Sequence, residues 1–91
     1  MNIPIESHID IGVVVRAARK SQHLRQDDAA GSIGVSENFL GKVERGSGSV
    51  HWGKLFQVLE GLGIRVILDV PDEAKTTLDK LTAKRKQQSP P

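Results

Sequence analysis

Apolar residues in this chain recur at helical spacing over most of its length and then change period abruptly. Val14, Val15 and Ala18 form a first stripe, and Asp10 ahead of them stands where a cap would, so a helix is predicted from about Ile11 to Gln22. A second short helix is predicted from Gln26 to about Ser32, opened by Asp27 and Asp28, whose charges suit a helix N-terminus. From Ser36 to Arg45, Leu40 and Val43 lie three apart on one face. Past the breaker Gly46-Ser47-Gly48-Ser49, the residues Trp52, Leu55, Phe56, Leu59 and Leu62 recur at i, i+3, i+4, i+7 and i+10. They describe an amphipathic fourth helix anchored in the core by Trp52 and ending at Gly61 or Gly63.

The period then changes. Ile64-Arg65-Val66-Ile67-Leu68-Asp69-Val70 is dense in β-branched residues, short enough for a strand, and stopped by Pro71. A lone strand leaves backbone groups unpaired on both edges, and no second strand is evident. The economical expectation is pairing with the same strand of a second copy about a two-fold axis, through Ile64, Val66, Ile67, Leu68 and Val70. The alternative is an extended tail lying on its own domain. Beyond it, Ala74, Leu78 and Leu81 share one possible helical face, with Glu73 early and Lys84-Arg85-Lys86 late. So few apolar positions predict a marginal helix that frays into a disordered tail from Gln87 to Pro91.

The most specific signal lies between the second and third segments. Gly34 can take the left-handed backbone that ends a helix, Val35 can pack into the angle between two helices, and Ser36 can cap the next. Two short helices joined by such a turn form a helix-turn-helix, a DNA-binding arrangement. Its second helix turns Glu37, Asn38, Gly41 and Lys42 away from the apolar face, near the end that touches base edges in a major groove. Asn pairs with adenine, Lys donates to guanine and Glu accepts from cytosine, while Gly41 would permit a close approach. Phe39 has two readings, contact with a thymine methyl or packing against the fourth helix.

Leu24-Arg25-Gln26, Ala30, Gly34-Val35-Ser36, Phe39-Leu40 and Val43-Glu44-Arg45-Gly46 together resemble the Cro/repressor-type (Xre) helix-turn-helix family, and within it the HipB-like branch of antitoxin repressors. The resemblance spans roughly Gly12 to Val70. It departs from the usual pattern at Arg25, where Thr is common and where Arg can add a phosphate contact, and at Ala29, where Leu is common and where Ala thins the core. The fold implied is all-α and lambda-repressor-like, with four to five helices and a C-terminal strand pairing across a homodimer. The domain plan is an arm over 1–8, the helix-turn-helix domain over 9–63, a dimerisation strand over 64–71 and a marginal helix with its tail over 72–91.

The function implied is repression from an inverted-repeat operator in double-stranded DNA. Arg25, Gln26 and the backbone at the start of the second helix would grip phosphate. Ser36, Glu37, Asn38 and Lys42 would read sequence or hold flanking phosphate, beside Gly41 and Arg45. The HipB-like resemblance further implies a type II toxin–antitoxin role, with autoregulation and a HipA-like serine/threonine kinase toxin as partner. Alternatives are a stand-alone regulator of the same fold and a protein-interaction adaptor without operator affinity.

Composition adds bounds. The 91 residues leave room for one small domain, whose core benefits from oligomerisation. With Phe39, Trp52 and Phe56 as its aromatic residues, the core must rest on aliphatic side chains. The absence of Cys excludes disulfides and thiolate metal sites and suits a reducing, cytoplasmic compartment; no apolar run is long enough for a membrane span, and no secretory signal is evident. The net charge of +2 is modest, but Arg16, Arg19, Lys20, His23 and Arg25 precede the motif, and Lys42, Arg45 and Lys54 lie in or after it. Such runs are solvated faces in most proteins, and the motif is what assigns Arg25 and Lys42 to DNA.

No enzymatic constellation emerges. His8, His23 and His51 are scattered without metal-ligand spacing, and Gly46-Ser47-Gly48-Ser49 lacks the Lys-Ser/Thr of a phosphate loop. Asp27 and Asp28 are explained by the helix they open. The expectation is a non-enzyme without metal or cofactor.

Overall fold

Five helices, α1 (His8–Ser21), α2 (Gln26–Ile33), α3 (Glu37–Glu44), α4 (Trp52–Gly61) and α5 (Ala74–Gln88), follow one another in the computed structural model, which describes residues 1–88. No strand forms among those residues, so the fold is all-α, as expected.

α1 starts at His8 rather than Ile11, and Asp10 is not its cap. Ser7 occupies that position with extended backbone (φ −155°), while Asp10 sits in the first turn and accepts a hydrogen bond from the Glu6 N–H at 2.9 Å. A carboxylate there also suits the helix dipole. Each of α1, α3 and α4 sends one wholly buried side chain to the centre, namely Val15, Leu40 and Val58. Around them close Ala29 and Ala30 of α2, Val43, Leu55, Leu59 and Leu62. Burial of one such aliphatic side chain contributes about 1.5–3 kcal/mol, so this small cluster carries the domain. Ala29 is as well buried as Ala30.

α1 packs against α3 backbone to backbone. A Cβ on Gly12 would lie 2.5 Å from the Val43 carbonyl oxygen and 2.9 Å from that of Glu44, so only hydrogen fits at this crossing. The ends of α2 and α4 are held by side chains from other parts of the chain. Gln57 donates to the Ile33 carbonyl at 2.9 Å and Gln22 to the Leu62 carbonyl at 3.0 Å, satisfying acceptors that a helix end leaves open.

Trp52 is not the core anchor that its spacing suggested. It is 74% exposed and meets the exposed Phe56 edge-on at 5.1 Å. The inward stripe of α4 is instead Leu55, Val58, Leu59 and Leu62. At about 100° per residue, position 56 falls roughly a quarter-turn off that face, whereas Trp52, nearly in line with Leu59, is exposed at the first residue of α4.

The expected strand is absent from the single chain. Residues 64–70 are irregular; Ile64 is half-buried against the core, whereas Val66, Ile67, Leu68 and Val70 are exposed. With no neighbour in its own chain, the segment has no ladder of hydrogen bonds to define it. α5 runs through Gln88, two residues into the segment expected as a tail, with Leu78 and Leu81 exposed and a Lys75–Asp79 pair at 3.0 Å along its surface. Of the tail expected over 87–91, residues 89–91 lie outside the described residues.

Candidate nucleic-acid interface

The turn between α2 and α3 has the geometry its sequence required. Gly34 is left-handed (φ 94°, ψ 27°), and both its N–H and that of Val35 donate to the Ala30 carbonyl, at 2.9 and 3.0 Å. Val35 is half-buried against the core. Ser36 is extended and its hydroxyl oxygen accepts from the Phe39 N–H at 3.0 Å, capping α3. The inward Leu40 and Val43 then fix the rotation of α3, which leaves Glu37, Asn38 and Lys42 exposed. None of these three side chains has a hydrogen bond or ion pair among the described residues.

Arg25 and Gln26 sit at the start of α2. Arg25 is 78% exposed and holds Asp27 at 3.1 Å, a surface pair worth about 0–1 kcal/mol that a phosphate could readily replace. Gln26 is half-buried, its amide 3.6–3.7 Å from where a Cβ of residue 41 would stand. Gly41 itself is buried, and a Cβ there would meet Arg45 Nη1 at 3.0 Å. The bare helix surface at Gly41 thus receives the side chains of Gln26 and Arg45. Phe39 is half-buried against the core, with the Lys54 ammonium 6.0 Å from its ring centroid, which favours packing over a base contact.

A residue that sequence reasoning grouped with the surface cations proves to be buried. Arg19 forks onto Glu44, Nε to Oε2 at 2.7 Å and Nη2 to Oε1 at 2.8 Å, while Nη1 donates to the Leu24 carbonyl at 2.9 Å. The hydrogen bonds and charge of Glu44 raise the Arg19 pKa against the opposing effect of burial. This bidentate pair ties the end of α1 and the approach to α2 to the last turn of α3. Its signal in the sequence was slight: Arg19 stands one turn after Val15 on the inward stripe.

Other groups fall outside this face. His8 Nδ1 lies 2.6 Å from the Gly46 carbonyl, to which it donates, and His51 Nδ1 accepts from the Lys54 N–H at 3.1 Å as the cap of α4. Among the described residues no group of three or more His, Cys, Asp or Glu could hold a metal ion, and no helix is long and apolar enough to cross a membrane.

Comparison with known proteins agrees with this geometry. A family model described as Helix-turn-helix matches residues 15–67. The uncharacterized HTH-type transcriptional regulator y4mF of Sinorhizobium fredii (strain NBRC 101917 / NGR234) is 41% identical over 71 residues, which span 78% of this chain and 93% of that protein. Among solved structures, a chain of the HipA-HipB-O2-O3 complex superposes with a TM-score of 0.70 at 17% identity, covering 78% of this chain and 100% of its own. The restriction-modification controller protein C.AhdI from Aeromonas hydrophila superposes with a TM-score of 0.56 at 26% identity, over 64% of this chain and 84% of that one.

Proposed function

The chain belongs to the helix-turn-helix family, of the Cro/repressor (Xre) type, and on that premise we propose that it is a sequence-specific DNA-binding transcription regulator acting as a homodimer on an inverted repeat. The observation that carries this reading is the row Glu37, Asn38 and Lys42 on a short helix held rigidly by a cap, two core side chains and a buried ion pair. Polar groups without partners on a fixed helix are suited to reading base edges, because no internal bond has to be broken and the backbone that presents them is already ordered. Asn38 and Lys42 read bases, Ser36 and Glu37 lie at the edge of the groove, and Arg25, Gln26 and Arg45 position the backbone.

The exposed Val66, Ile67, Leu68 and Val70, together with Ile64, supply the dimer contact, in which strands from two copies pair and satisfy each other's backbone. Two recognition helices related by that axis meet half-sites about 34–36 Å apart, or a multiple. The fold shared with a chain of the HipA-HipB-O2-O3 complex, beside the HipB-like motif, supports a finer reading as an antitoxin that represses its own operon and binds a HipA-like kinase.

The test is binding to the DNA upstream of its own gene at several salt concentrations, with Asn38→Ala beside the wild type. Tight, salt-dependent binding to an inverted repeat, weakened selectively in the variant, is expected. Binding no tighter than a non-specific Kd of about 10⁻⁴–10⁻⁶ M would instead make the chain an adaptor. Co-expression with any kinase-like neighbour should yield a stable complex if the antitoxin reading holds.

A further inference from the structure

We propose that α1 completes the DNA-facing surface: Arg16, with Arg45 and Gln26, seats a phosphate in the cleft where α1, α2 and α3 meet. This rests on the reading of the chain as a DNA-binding protein and adds to it a third helix and a residue that the motif does not contain.

The cleft is an open depression of about 230 Å³ lined by Arg16, Arg19, Gln26, Gly41, Glu44 and Arg45. Its charge is what points to an anion. Glu44, the acid in its wall, has both oxygens engaged by Arg19 at 2.7 and 2.8 Å, so it does not oppose a second negative group. That leaves Arg16 and Arg45, both exposed and neither in an ion pair among the described residues. Two guanidinium groups lining one depression repel each other, and an anion between them relieves the repulsion. Their planar forks suit phosphate oxygens. Gly41 keeps the floor bare, and the Gln26 amide beside it offers a neutral donor. The cleft lies beside the last turn of α3, away from Ser36, so the phosphate it takes belongs to the groove wall rather than to the base pairs read by Asn38. Arg16 therefore contributes affinity and register but no sequence preference.

The experiment measures binding of the full chain to its upstream DNA and to a random duplex between 50 and 200 mM salt, for wild type, Arg16→Gln, Asn38→Ala and Lys75→Gln. Gln retains helix propensity, and Lys75 lies on α5 in an exposed pair with Asp79. Loss of one phosphate contact per protomer should make the slope of log K against log salt shallower by about 0.9, or about 1.8 for a dimer. Over that fourfold salt range the affinity lost by Arg16→Gln should be roughly 12-fold less than that lost by the wild type. Operator and random DNA should weaken alike. Lys75→Gln should keep the wild-type slope, and Asn38→Ala should keep it while losing discrimination. A wild-type slope in Arg16→Gln, with Asn38→Ala behaving as expected, overturns the phosphate seat and leaves the functional reading intact. A wild type that binds no duplex overturns both. Thermal unfolding in inorganic phosphate against chloride at equal ionic strength separates the sources of the anion: stabilisation that vanishes in Arg16→Gln without any change in DNA slope would assign the cleft to free phosphate and overturn its assignment to DNA.

Discussion

Removing the charge of Glu44 tests how much of this small domain hangs on one ion pair. In Glu44→Gln the carboxamide keeps one acceptor oxygen, but Arg19 stays charged inside a site where the two side chains are 10% and 5% exposed. Breaking a buried pair from one side costs about 3–5 kcal/mol, because the surviving charge is left uncompensated. The retained hydrogen bond places Glu44→Gln near the lower figure. Arg19→Met, which strands the carboxylate and also the Leu24 carbonyl, belongs near the upper one. A domain of this size has about 5–14 kcal/mol in all, so either variant loses a large share of its stability. At about 4–8 °C per kcal/mol, Glu44→Gln should melt roughly 12–24 °C below the wild type. Urea unfolding followed by circular dichroism gives the free energies, and an unchanged m-value would show that the native and unfolded ensembles remain comparable. The double variant Arg19→Met/Glu44→Leu should be less damaged than the sum of the two single variants, since no buried charge remains. Losses below about 1 kcal/mol in both single variants would refute the argument and reduce the pair to the worth of a surface contact. Folding raises the Arg19 pKa, so its contribution is complete at every pH below the unfolded guanidinium's ordinary value and fades only as pH climbs through the folded one. The loss in Glu44→Gln should accordingly not vary from neutral to mildly alkaline pH on account of Arg19.

Gly41→Ala should separate stability from binding: the helix gains about 0.5–1 kcal/mol in chemical unfolding, while the new methyl, 3.0 Å from Arg45 Nη1, displaces that guanidinium and weakens DNA binding in the same preparation. His23 is a non-glycine residue with φ 58°, a conformation costing about 1–2 kcal/mol for a side chain, so His23→Gly should raise the melting temperature by several degrees; an unchanged or lower value would mean that the imidazole makes compensating contacts. Leu68→Glu places charge in the exposed apolar segment, and sedimentation should show it shifted to monomer with its helical circular dichroism intact, whereas an unaltered dimer would locate the contact elsewhere.

The parts of the structure that could be read in advance depend on neighbours in sequence. Gly34 and Ser36 fixed the turn because a left-handed residue and a hydroxyl cap act within four positions of themselves, and α2 and α3 came out within a residue or two of their expected ends. Helical periodicity likewise found Val15, Leu40, Val43, Leu55, Leu59 and Leu62 as buried positions. It failed at the edge and at the end of an apolar face. On α4 the pattern admitted Trp52 and Phe56 to the core and passed over Val58, because periodicity states that a stripe exists and the opposing helices decide how wide and how long a part of it they cover. Segment 64–70 had strand composition, yet a strand exists through its partner's hydrogen bonds, and one chain supplies none.

Charge was the least legible property. Arg16 and Arg19 are three residues apart on one helix and look alike in a list of cations, but Arg19 turns inward to Glu44 across 25 positions of sequence while Arg16 stays in water beside Arg45. The chain alone therefore determined its helices, its turn and its family, all of which follow from short-range sterics and hydrogen bonding. Tertiary structure decided which cation is structural, which remains available to an anion and which apolar face is left uncovered, because those outcomes depend on distances between residues that the sequence keeps far apart.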